Sequence, residues 1–149
     1  MSGVDEQDLF TATMHAFLSV YRYLRRYSRQ MQEEGISGRQ VSTLRYLLEA
    51  GPRTIGQLRD YLYLNDSSTS ELVTRLEQAG LVVRARSEPD SRLVVVTLTP
   101  AGREVALKTP LRGIPLLREK LKALPPQRLA RIRDVLVELR DLLEIPDGC

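Results

Sequence analysis

Short hydroxyl side chains and arginines are concentrated between Asn65 and Arg92. Within NDSSTSELVTRLEQ the candidates are Ser67, Ser68, Thr69, Ser70, Thr74 and Arg75; Arg84, Arg86 and Arg92 follow, with Asp90 two residues before Arg92. Hydroxyls donate and accept at short reach, and a guanidinium presents a planar fork that fits a phosphate or a guanine edge. The chemistry on offer is recognition of an anion, not bond making. A catalytic reading has little to stand on. His15 is the only histidine and Cys149 the only cysteine, and there is no Walker loop, GxGxxG turn or Cys/His zinc set. No pair of carboxylates is singled out by spacing. No enzyme activity, metal or cofactor is expected.

The elements that must position these side chains run from Thr54 to Gly102. Thr54-Ile55-Gly56-Gln57 has the spacing of a capping box, and Ile55, Leu58 and Leu62 give the short helix that follows a buried face. Asn65 or Asp66 caps the next helix. Its periodicity turns Thr69, Leu72, Val73, Leu76 and Ala79 inward, and Gly80 closes it. Thr69 thus belongs both to the hydroxyl cluster and to the inward face. Leu81 to Arg86 and Leu93 to Leu98 are rich in β-branched residues, and SEPDSR between them reads as a turn. A helix-turn-helix followed by a β-hairpin wing is a shape that can lay a helix in the major groove of DNA. Small hydroxyls at a helix start permit close approach, and free N–H groups there can meet phosphate. Arginines suit a narrow minor groove, Asp90 can brace Arg92, and Glu71 is expected to orient an arginine. Taken singly, each feature also describes a solvated helix face or a surface ion pair.

The flanks are helical. Phe10, Thr13, Phe17, Val20, Leu24, Tyr27 and Met31 recur at steps of 3 and 4 in a helix over 8–32, with Gly35 ending it and His15 in a packed or interfacial position beside the stripe. Ser37 caps a second helix, with Val41, Leu44, Leu47 and Leu48 inward, that stops at Gly51-Pro52. Thr99-Pro100 opens a helix that Pro110, Gly113 and Pro115 should kink or break. Pro125-Pro126 starts the last, whose apolar face is Ile132, Val135, Leu136, Leu139, Leu142 and Leu143. The prediction is a mainly α, α+β winged-helix fold of about six helices with a two- or three-stranded wing. The amphipathic ends together suggest a dimerisation region.

At 149 residues the chain can bury one real core. The formal net charge is +3, yet residues 51–100 carry six arginines against six acids, and the whole excess lies after residue 100. Bulk charge therefore does not mark the helix-turn-helix segment; only placement can. No apolar run approaches the roughly 20 residues that span a bilayer. The acidic start MSGVDEQDLF lacks secretory features, so a cytoplasmic protein is expected. Cys149 is read as incidental.

Together the segments acquire specificity. SSTSELVTRLEQAGLVVR, then Asp90-Ser91-Arg92, then Leu98-Thr99-Pro100-Ala101-Gly102 resembles the MarR family of winged-helix transcription regulators, and the flanking helices extend the likeness over nearly the whole chain. The resemblance implies a sequence-specific homodimer on a pseudo-palindromic operator of duplex DNA. Such a dimer is usually a repressor of nearby genes, released by a small anionic or aromatic effector. It divides the chain into N-terminal dimerisation and scaffold helices (1–50), a DNA-binding region (51–100) and C-terminal dimerisation helices (101–149). It makes Arg92 the minor-groove arginine, Asp90 its brace and Ser67 to Arg75 the major-groove contacts. It also makes Phe17, Tyr21 and Tyr46 candidates for the effector site. The chain departs from the family at Ser91, where many members have a second arginine. Unlike the peroxide-sensing members it has no cysteine in its first helix, and it carries the Pro110 to Pro115 interruption. The rival reading is a winged-helix module that binds protein instead of specific DNA.

Overall fold

Local capping chemistry sets most of the boundaries. The computed structural model describes residues 2–87 and 92–147 and contains α1 (Ser2–Glu33), α2 (Gly38–Ala50), β1 (Arg53–Thr54), α3 (Ile55–Leu62), α4 (Asp66–Gln78), β2 (Val82–Arg86), β3 (Val94–Leu98), α5 (Pro100–Lys108), α6 (Gly113–Lys122) and α7 (Pro126–Leu142). Ser37 with Gln40 and Thr54 with Gln57 form capping boxes, each hydroxyl and amide satisfying an orphan N–H of the other residue. Asn65, not Asp66, caps α4: its side chain accepts from the Ser68 N–H at 2.8 Å. Gly80, with φ +75°, ends that helix as the N–H groups of Gly80 and Leu81 turn back to the Glu77 and Leu76 carbonyls.

The helices number seven among the described residues, one more than predicted, because the interruption after the wing is a break and not a kink. Thr109 precedes a proline and is extended, with φ −74° and ψ 120°. The chain restarts at Gly113 with φ +59°, its N–H donating to the Tyr23 hydroxyl at 3.3 Å. Pro115 then falls in the first turn of α6, where its missing N–H costs nothing. The first helix also begins six residues earlier than its apolar stripe predicted.

Three antiparallel strands lie in the order β1-β3-β2, with Arg53 opposite Val96 and Val82 opposite Leu98. The core gathers Leu44 and Leu47 of α2, Leu58 and Leu62 of α3, Leu72, Val73 and Leu76 of α4, Val82, Val96 and Ala106. Ala79, expected inward, is exposed at the end of α4. The flanks contrast with this centre. Helix α7 has no buried residue, with Val135, Leu136 and Leu142 exposed, and the first half of α1 exposes Leu9, Phe10 and Phe17. His15 is exposed on the same helix. Among the described residues, no helix is long and apolar enough to cross a membrane.

The segment Leu98 to Gly102 has a tight geometric role. The Thr99 hydroxyl accepts from the Gly102 N–H at 3.0 Å and donates to the Gly80 carbonyl at 2.6 Å, while the Thr99 N–H donates to the Leu81 carbonyl. The start of α5 is thereby tied to the end of α4. A Cβ on Gly102 would lie 1.9 Å from the Leu81 carbonyl oxygen, so only glycine fits. Gly102→Ala is expected to reduce the unfolding free energy by about 2 kcal/mol or more through overpacking against backbone. Urea denaturation measures this, and a parental midpoint would show that the approach is not tight.

Candidate nucleic-acid interface

Helix α4 divides into three faces. Thr69, Leu72, Val73 and Leu76 are buried against the core. Ser67, Glu71 and Gln78 are exposed on the opposite side. Of the remaining flanks, one is engaged by the wing and the other borders a cleft. Thr69 is a correction to the sequence reading: it is fully buried and its hydroxyl donates to the Asn65 carbonyl at 2.8 Å, so it serves the core and leaves the contact surface. A helix backbone carbonyl four residues back is the partner a threonine hydroxyl finds when its methyl faces inward.

One flank is held by the wing. Arg84 Nη2 on β2 donates to the Ser70 carbonyl at 2.7 Å and to the Thr74 hydroxyl at 2.8 Å, and the Arg84 N–H donates to Glu77 Oε2 at 2.9 Å. The guanidinium is half-buried, and its Nε has no partner. Arg84 is therefore a clamp between strand and helix and not an outward-pointing arginine, and Thr74 shares its hydroxyl with that clamp. Farther along the hairpin, Arg86 and Arg92 are both exposed. Asp90, predicted to brace Arg92, lies outside the described residues.

The other flank borders a cleft of about 690 Å³. Ser68 and Arg75 of α4 form one wall, Met31 of α1 and Arg39 of α2 another, and Arg118 of α6 stands across from them. Ser42 also lines it; its residue is buried and its hydroxyl has no hydrogen-bond partner. Arg75 is exposed and held by Glu71 at 2.6 Å, as the sequence reading expected. At the start of α4, Asn65 Oδ1 also accepts from the Ser67 hydroxyl at 3.1 Å. Asp66 accepts from Arg59 Nη1 at 2.8 Å, and Arg59 Nε donates to Asp60 at 3.0 Å. These two acids, Asp66 foremost, raise the Arg59 pKa further.

The three aromatic residues proposed for an effector site are not brought together. Phe17 and Tyr21 stack on exposed α1 with centroids 6.3 Å apart. Tyr46 lies flat on Tyr61, at 3.9 Å and 6°, between α2 and α3. Arg53 covers the first ring of that stack at 5.6 Å and Arg118 the second at 4.4 Å. Lys122 lies over Tyr61 and bonds Glu119 and Glu49. Partial burial pulls its pKa down, but these neighbours outweigh that and the net shift is upward. None of the three candidates lines the cleft. Tyr46 is committed to a ladder that joins α2, α3 and α6. The cleft itself was missed. Its only trace in the sequence was a serine, Ser42, falling among the apolar positions of α2. Among the described residues no cluster of His, Cys, Asp or Glu can hold a metal.

The profile of the MarR family matches residues 34–93, from the end of α1 into the hairpin. Over that stretch the chain is similar to the MarR family of transcriptional regulators. YsmB of Bacillus subtilis (strain 168), an uncharacterized HTH-type transcriptional regulator, is 27% identical over 110 residues, 74% of this chain and 75% of its own. The transcriptional regulator BldR from Sulfolobus solfataricus is 26% identical and superposes with a TM-score of 0.59 over 97% of this chain and 99% of its own. Reduced AbfR bound to DNA, at 22% identity, shares the fold with a TM-score of 0.58 over 96% and 99% of the two chains. The three-stranded sheet and helical flanks of the present chain are thus those of a MarR winged helix.

Because Arg84 joins β2 to α4 through two part-buried acceptors, Arg84→Ala is expected to reduce stability by about 1 kcal/mol, the Ser70 carbonyl keeping only its bond from the Thr74 hydroxyl. Hydrogen exchange of the β2 and β3 amides should quicken in the same variant. Unchanged exchange would mean that the sheet alone holds the hairpin against α4.

Proposed function

We propose that this MarR-like chain is a homodimeric, sequence-specific DNA-binding repressor of nearby genes, released by a small aromatic or anionic effector. The observation that carries the proposal is the exposed face of α4. Ser67, Glu71 and Gln78 point outward from a helix anchored on its reverse by four buried residues, with Arg75 on one border and Arg84 joining the other to the wing. A rigid helix with short polar side chains is what the major groove accepts. In this reading Ser67, Ser68, Ser70 and Thr74 approach phosphates and base edges, Arg75 meets phosphate or guanine, and Arg86 and Arg92 follow the minor groove. The sequence assigns Asp90 the bracing of Arg92. The DNA-bound state of AbfR, a chain of the same fold, supports the assignment.

The homodimer is supported by the exposed apolar sides of α1 and α7, which nothing among the described residues covers: Phe10 is 67% exposed and Leu142 is 72% exposed. Two copies bring two α4 helices to one duplex. The effector belongs in the cleft between α4 and the α1, α2 and α6 residues, where Arg39 and Arg118 attract an anion, Arg75 being paired with Glu71 on the same wall, and the unpartnered Ser42 hydroxyl can donate to it. A ligand there touches Ser68 and Arg75 directly, so it competes with the DNA-facing arrangement of α4.

A mobility-shift assay on duplexes selected from a random pool, over a salt series, tests the reading. The parent is expected to hold one selected sequence against random competitor, with affinity falling steeply as salt rises. Arg92→Ala should weaken binding and flatten the log–log salt slope by about 1. Benzoate, as a probe acid, should release DNA from the parent and not from Ser42→Ala. Absence of any sequence preference would instead favour a protein-binding winged helix, a reading supported by the balanced charge of residues 51–100.

A further inference from the structure

Three residues, Tyr63, Leu64 and Asn65, join α3 to α4. Tyr63 has φ 55° and ψ 46°, the left-handed region where a Cβ crowds the following carbonyl. The turn itself asks only for that backbone: the N–H groups of Tyr63 and Leu64 both return to the Arg59 carbonyl and close α3. Glycine or asparagine would satisfy it with less strain. Nothing within the fold rewards a tyrosine here. Tyr63 is 85% exposed, more than any other large apolar residue among the described residues, and its hydroxyl faces solvent.

The surroundings fit an approaching polyanion. Asp60 and Asp66 flank the turn and would repel a phosphate, but Arg59 gathers both carboxylates at 3.0 and 2.8 Å. Two residues beyond Tyr63, Asn65 caps the start of α4, where N–H groups point out of the helix end. A phenol is neutral, donates one hydrogen bond and offers a flat apolar ring. Those are the properties of a side chain that lies against a sugar and donates to the phosphate beside it.

The geometry points to Tyr63 as a backbone contact to duplex DNA, its hydroxyl donating to a phosphate oxygen beside the site read by α4. The assignment rests on the DNA-binding reading above. It makes the exposed ring a clamp that sets the register of the helix on the duplex. A phosphate contact carries no sequence information, so its loss lowers affinity for operator and random duplex by the same factor. A neutral side chain displaces no counterion, so the salt slope stays unchanged, unlike the loss of an arginine.

Fluorescence anisotropy on a pool-selected duplex and a random one, over a salt series and beside thermal melts, compares the full chain with Tyr63→Phe and Tyr63→Gly. Tyr63→Phe is expected to bind both duplexes about tenfold more weakly, with the parental slope and melting temperature. Tyr63→Gly should lose at least as much affinity while melting at or above the parental temperature, because glycine relieves the left-handed strain. Parental affinity in Tyr63→Phe overturns the assignment whatever the glycine variant does. Weaker binding with a flatter slope also overturns it, since charged contacts would then have moved with α4. A parent that binds no duplex removes the DNA-binding reading and this inference with it. A parent that binds while Tyr63→Phe is unaffected removes this inference alone.

Discussion

A helix that reads a partner must be held on every side but one, and the face of α4 that packs on the core is the constraint from which the rest follows. Thirteen residues make a helix that is marginal on its own in water. Burial of Thr69, Leu72, Val73 and Leu76 holds it against α2 and α3, and Arg84 then ties its flank to β2. The clamp costs the molecule an arginine that would otherwise face outward. In return three hydrogen bonds from Arg84 fix β2 against α4.

The elements around that body do different work. Thr99 bonds both the Gly80 carbonyl and the Gly102 N–H, which seats α5 against the end of α4. The Tyr46 and Tyr61 rings, capped by Arg53 and Arg118, connect α2 and α3 to α6. Helix α6 also supplies Arg118 to the cleft that reaches Ser68 and Arg75. The same helix, through Arg118, thus touches both the aromatic ladder and the cleft.

How much of this was legible in the sequence depended on the range of the interaction. The capping residues Ser37 and Thr54, the closing Gly80 and the break at Pro110 were readable because each acts within a few residues of itself. The Glu71 to Arg75 pair, one helical turn apart, was equally local. Thr69 stood in two readings at once, and packing decided for the core. What could not be read was built from distant segments. Arg84 meets α4 residues 10 and 14 positions away, and the cleft assembles α1, α2, α4 and α6. The resemblance makes Tyr46 a candidate for the effector site, yet its stacking on Tyr61 follows only once α2 lies on α3.

Helix α7 buries no residue of its own, and α1 leaves Leu9, Phe10 and Phe17 exposed, so the proposed function requires a second copy that completes the flanks and sets the spacing of two α4 helices. Hydroxyl-radical footprinting on a duplex selected from a random pool measures that spacing on the DNA itself. Two protected patches related by a dyad, about 10 base pairs apart on one face of the duplex, are the expected result. A single patch, or protection without a dyad, would contradict the account.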